Sequence, residues 1–134
     1  MAVFSTIFSS NSRYLRKKNK ATGEIINDEV AYWRKANQIR QWFIKNAGYP
    51  ENANCIPYTL TEVQLRQLLA DCKKVLEDNS LASEILPTSD GYFFGGVAYD
   101  EYYFDKLKET VAMLESVLKD TNFEEEEISY FEWW

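Results

Sequence analysis

Apolar and polar positions alternate along "AVFSTIFSS", with Val3, Ser5 and Ile7 facing one way and Phe4, Thr6 and Phe8 the other, which predicts a first strand. A polar turn over Ser9 to Ser12 follows. "RYLRKKNKATGEII" then reads as an exposed hairpin, with "KATGE" as its turn and Gly23 as the residue free to take positive φ. The period changes next. From about Asp28, an N-cap by type, to Asn46 or Ala47, a helix is expected, ended by Gly48 and Pro50. At 100° per residue Tyr32, Ala36, Ile39 and Phe43 share one narrow arc, the core stripe. Trp33, Asn37, Arg40 and Ile44 then fall together on one flank.

"CIPYTL" reads as a short extended piece, and Pro57 marks it as a sheet edge. Thr61 and Gln64 have capping-box spacing, with Leu60 and Leu65 placed as a hydrophobic staple. The helix they open buries Leu65, Leu68, Leu69, Cys72, Val75 and Leu76. Leu81 to Leu86 predicts a helical turn or two, broken by Pro87. "GYFFGG" reads as a short strand with paired glycines at its end. A long helix from an N-cap at Asp100 to about Asn122 turns Tyr103, Leu107, Leu114, Val117 and Leu118 inward. Alternation in "ISYFEWW" predicts a last strand, Ile128 and Tyr130 on one side, Phe131 and Trp133 towards the other. The expectation is one α+β domain over residues 1–134: a small, mostly antiparallel sheet (N-terminal hairpin, GYFFGG strand, C-terminal strand) packed against three main helices.

Composition narrows the chemistry more than the fold. The 134 residues are 46% hydrophobic and contain no run approaching the roughly 18 apolar residues of a membrane span. "MAVFSTIFSSNSRYLRK" puts its apolar residues ahead of its charges, the reverse of a secretory signal, so a cytoplasmic protein is expected. Cys55 and Cys72 form no C-x-x-C pair. Histidine is absent, which removes Ser-His-Asp and Cys-His catalysis and His-ligated metals. An enzyme would have to work with carboxylates, Lys or Tyr, and Asp100, Glu101 and Asp105 are the candidates for that or for a divalent ion. First-turn acids more often complement a helix dipole, so no catalytic residue, metal or cofactor is assigned.

The net charge of −6 is unevenly spread: residues 1–45 hold nine Lys or Arg against three acids, and residues 46–134 hold six against eighteen. The two halves are expected to pair within one fold or across a homo-oligomer, for which the terminal tryptophans are a second argument. The basic cluster Arg13, Arg16, Lys17, Lys18 and Lys20 lacks interleaved stacking aromatics beyond Tyr14, so nucleic acid is not the expected partner.

"EVAYWRKANQIRQWF", "LLADCKKVLED", "LPTSDGYFFGG", "YDEYYFDKLKETV" and "TNFEEEEISYFEWW" together resemble a family of small uncharacterised bacteriophage and prophage proteins, over roughly residues 29–134. Members commonly begin with a Gly-Leu-Asp-Met-Tyr-Leu strand, which this chain replaces with "MAVFSTIF". Some carry a phosphoglycerate kinase label, but this chain has neither a two-domain kinase's length nor a matching nucleotide loop. Arg40 stands where relatives often have His, which keeps a donor and loses a titratable group. The resemblance implies an accessory factor that acts by binding inside an infected bacterium, including against host defence.

Two binding readings follow. In the first, a counter-defence protein sequesters a small nucleotide-type ligand in a pocket of Trp33, Arg34, Asn37, Arg40, Tyr92, Phe94, Gly95 and Tyr99. Aromatic faces would stack on a base and Arg would meet phosphate. In the second, a protein-binding inhibitor covers a host protein with an acidic or aromatic surface, and Arg40 is paired internally.

Overall fold

The computed structural model describes residues 12–34, 36–49, 57–88 and 99–133. The strand expected over residues 3–8 and the GYFFGG strand lie outside them. The described residues form an α+β fold with a four-stranded, wholly antiparallel sheet in the order β2-β1-β4-β3. Its strands are β1 (Ser12–Asn19), β2 (Ile25–Arg34), β3 (Tyr58–Leu60) and β4 (Glu126–Trp133). The helices are α1 (Asn37–Ala47), α2 (Glu62–Glu77), α3 (Ala82–Ile85), which follows a 3₁₀ turn over Asn79–Leu81, and α4 (Glu101–Asp120).

The hairpin closes as its turn chemistry requires. Asn19 Oδ1 accepts the N–H groups of Ala21 and Thr22, the Gly23 N–H donates to Asn19 O, and Gly23 takes φ +74°. The chain after it departs from expectation. Residues 28–34, predicted as the first turns of a helix, are the greater part of β2, and α1 begins only at Asn37. The aromatic and β-branched run "VAYW" satisfies a two-residue period as well as a 3.6-residue one, and the register Leu15↔Ala31, Tyr14↔Tyr32 and Arg13↔Trp33 captures it for the sheet. Nor does the sequence carry a start signal at α1, whose N-cap is Ala36 with no side-chain cap. The end of α1 is as expected. Gly48 has φ +74°, and a Cβ there would stand 3.3 Å from the Tyr58 hydroxyl.

The other signals hold. Thr61 and Gln64 exchange both capping-box hydrogen bonds at the start of α2, and Asp100 Oδ1 accepts the Tyr103 N–H at the start of α4. β3 is an edge strand, as Pro57 implied. One sheet face carries Ala31 and Trp33 of β2, Leu15 of β1, Ile128 and Tyr130 of β4 and Leu60 of β3. All are buried in a core with the α1, α2 and α4 residues Ile39, Phe43, Leu65, Leu68, Leu107 and Leu114. Phe43 lies stacked on Tyr130, with ring centroids 4.0 Å apart.

Burial also sets an expected pH response. Burial pushes the Cys72 thiol up from its usual 9.0, with Asp71 adding to the rise, and burial likewise raises the Tyr103 and Tyr130 phenols from 10.0. The folded chain therefore keeps protons that the unfolded chain releases. Their contribution is complete below about pH 9 and is lost as pH rises through and beyond the unfolded values of 9.0 and 10.0. The thermal midpoint should fall steadily above about pH 9; a midpoint flat to about pH 11 would contradict this burial.

Candidate functional site

β2 and α1 distribute the sequence-nominated residues between the core and one surface corner. Alternation sends Trp33 inward and Arg34 outward. The Trp33 indole is 1% exposed, meets Phe43 edge-on and donates from Nε1 to Thr110 Oγ1 at 2.8 Å. Asn37 opens α1 and is buried. Its neighbour Gln38 donates from Nε2 to Tyr103 O, tying α1 to α4.

Arg40 also turns inward. Its Nε lies 2.9 Å from Glu132 Oε2 and 3.2 Å from Oε1, with both side chains buried. Arg13, the cross-strand neighbour of Glu132, brings its own Nε to 3.6 Å from the same carboxylate, and the Tyr130 hydroxyl donates to Oε2 at 2.8 Å. Burial lowers the Arg13 guanidinium below its usual value, while Tyr130 and Glu132 push it back up. This is a buried charge network at the sheet–α1 junction. Glu132 and Arg13 were not nominated from the sequence, although the two-residue period that put Ile128 and Tyr130 on the core side puts Glu132 there too.

The outward residues gather where β2 ends and α4 begins. Arg34 is exposed, and its carbonyl accepts the Tyr102 hydroxyl at 3.4 Å. The Lys106 amine sits 5.1 Å from the Tyr102 ring centroid. Tyr99 accepts the Thr88 N–H at its hydroxyl and packs edge-on against Tyr103, whose own hydroxyl donates to Leu86 O at 2.6 Å. Tyr99 and Tyr102 are 40% and 52% exposed, unusually open for aromatics held by hydrogen bonds. The structure thus brings Arg34 and Tyr99 to one corner and adds Tyr102 and Lys106. It puts Trp33, Asn37 and Arg40 in the core behind them. Tyr92, Phe94 and Gly95 lie outside the described residues.

The acids Asp100, Glu101 and Asp105 serve α4 locally: Asp100 is its N-cap and Asp105 reaches Lys108 at 4.0 Å. Among the described residues no three acids or thiols gather closely enough to hold a metal ion, and no helix is long and apolar enough to cross a membrane.

No family model, curated protein or solved structure matches the chain.

Proposed function

We propose that the protein is a non-catalytic binding protein, carried by a bacteriophage, that captures a defence protein in the cytoplasm of its host. Its contact surface is the corner of Arg34, Tyr99, Tyr102 and Lys106. The observation that carries this reading is the division of the nominated residues: Arg40 faces Glu132 at 2.9 Å while Tyr99 faces outward, near the likewise exposed Tyr102. Tyr and Arg are the residues around which interface hot spots form. Here the hydrogen bonds of Tyr99 and Tyr102 hold the rings before a partner arrives, which reduces the ordering cost of capture. The phage setting rests on the resemblance of the five segments quoted above.

A second reading, a nucleotide-type ligand, is supported by the Lys106 amine beside the exposed Tyr102 ring, since stacking with a base and contact with phosphate need an aromatic face and a cation. One experiment separates them. Wild type and Tyr99→Ala/Tyr102→Ala are incubated with a lysate of infected bacteria and then examined by native mass spectrometry, with denatured extracts analysed for small molecules. A host protein retained by wild type and reduced at least about ten-fold in the variant is expected, the scale of losing an interface hot spot. A released nucleotide with no retained protein would establish the second reading, and equal retention by both chains would remove this corner from the interface.

A further inference from the structure

β2 is an edge strand, with β1 on one side and no described strand on the other. Backbone groups along such an edge need partners other than a sheet ladder. α4 supplies them. At the end of the strand the Arg34 carbonyl accepts the Tyr102 hydroxyl at 3.4 Å, and two residues earlier the Tyr32 N–H donates to the thioether sulfur of Met113, also at 3.4 Å. Between these contacts Thr110 Oγ1 accepts the Trp33 indole N–H at 2.8 Å. Residues 102, 106, 110 and 113 follow helical spacing, so one face of α4 carries Tyr102, Lys106, Thr110 and Met113 along the strand. Met113 differs in kind from the other three. A thioether is a weak acceptor, and it is the group on this face that a mild oxidant attacks. Met113 packs half-buried against the core, open enough for a small oxidant, and is the chain's sole methionine beyond Met1.

We infer that Met113 is an oxidation-sensitive latch that holds α4 on the edge of β2. The oxidant is hydrogen peroxide. A sulfur lone pair attacks one peroxide oxygen, the O–O bond breaks as the S–O bond forms, and the other oxygen leaves as water after proton transfer. Sulfur loses two electrons and peroxide gains them, giving the sulfoxide. Its oxygen does not fit the present contact. An N–H···O bond alone takes about 2.9 Å, whereas nitrogen and sulfur stand 3.4 Å apart. The sulfur therefore has to leave its place, either swinging the side chain outward or pushing α4 off the strand. Both routes also put a polar group where an apolar one packed against the core. Tyr102 lies on the same helix face, so its contact with Arg34 loosens with the latch. This coupling is a property of the seam between β2 and α4 and holds whichever ligand the corner of Arg34 and Tyr102 takes.

The test uses the whole chain, isotopically labelled and treated with hydrogen peroxide until peptide mapping shows Met113 fully converted to the sulfoxide. Amide hydrogen exchange is then followed by NMR. The Tyr32 amide should exchange at least about ten-fold faster after treatment, with resonance shifts at Arg34 and Tyr102, while the Leu15 and Tyr130 amides in the middle of the sheet keep their rates. Methionine sulfoxide reductase should restore slow exchange at Tyr32. Met113→Leu, in which only Met1 is left to oxidise, should exchange alike before and after peroxide. Unchanged Tyr32 exchange at full Met113 oxidation would overturn the latch, and so would a Met113 that resists peroxide while Met1 is converted. Acceleration spread evenly over β1 and β4, or exchange that the reductase fails to restore, would mean general damage to the fold and overturn it equally.

Discussion

Replacing Glu132 by Gln should destabilise the protein by about 3–5 kcal/mol, a large share of the roughly 5–15 kcal/mol that holds a domain of this kind together. The change conserves shape and removes only the charge. Glu132 is wholly buried, and its carboxylate meets Arg40 at 2.9 Å, Arg13 at 3.6 Å and the Tyr130 hydroxyl at 2.8 Å. With the amide in its place, two buried guanidiniums lose their shared counter-charge, and water cannot reach them without opening the sheet–α1 junction. Removing all three charges gives the contrast. Arg13→Met/Arg40→Met/Glu132→Leu should lie much nearer to wild type, because the desolvation cost of the ions disappears along with their attraction. Urea unfolding monitored by tryptophan fluorescence measures both. A Glu132→Gln loss below about 1 kcal/mol would mean that the network is solvated and that Arg40 is available to a ligand after all.

The same network shows which parts of the molecule were legible in the sequence. Local devices were: the Asn19–Gly23 turn, Gly48, the Thr61–Gln64 box and the Asp100 cap each lie within a few residues of what they satisfy. Pairings that depend on strand order were not. Arg13 and Glu132 stand at opposite ends of the chain and become neighbours only because β4 pairs with β1. That placement also accounts for the charge asymmetry among the described residues. The basic strand β1 lies against acidic β4, with Lys17 3.8 Å from Glu126 and Lys18 opposite Glu127. The start of α1 was misjudged for a related reason. Ala36, Ile39 and Phe43 are core as expected, but Tyr32, grouped with them, is a half-buried strand residue on the sheet face opposite Ala31 and Trp33, packed against Tyr14, and only the register with β1 reveals this. The exposed corner was half legible. Arg34 and Tyr99 were nominated, whereas Tyr102 and Lys106 were not, because their place at the end of β2 follows only from how β2 and the start of α4 meet.

Trp33→Ala should cost about 3–5 kcal/mol, the range for removing a large buried aromatic, and so separates the core role of this residue from the pocket role suggested by its place beside Asn37 and Arg40. The indole is 1% exposed, packs edge-on against Phe43 at 6.2 Å and donates to Thr110 Oγ1 at 2.8 Å. Alanine removes the ring and leaves a cavity between β2, α1 and α4 that these elements refill only in part. Trp33→Phe keeps most of the volume and loses the hydrogen bond. Thr110 still donates its own hydroxyl to Lys106 O, so the expected loss is about 1–2 kcal/mol. Denaturant midpoints rank the three chains. Partner retention at a temperature where Trp33→Phe is fully folded then decides the role. If Trp33 only supports the corner from beneath, retention should equal that of wild type, because Tyr99, Tyr102, Arg34 and Lys106 are untouched. A ten-fold drop in a fully folded Trp33→Phe chain would place the indole in the contact itself, and the inward orientation of Trp33 would then be one state of a surface that opens on binding.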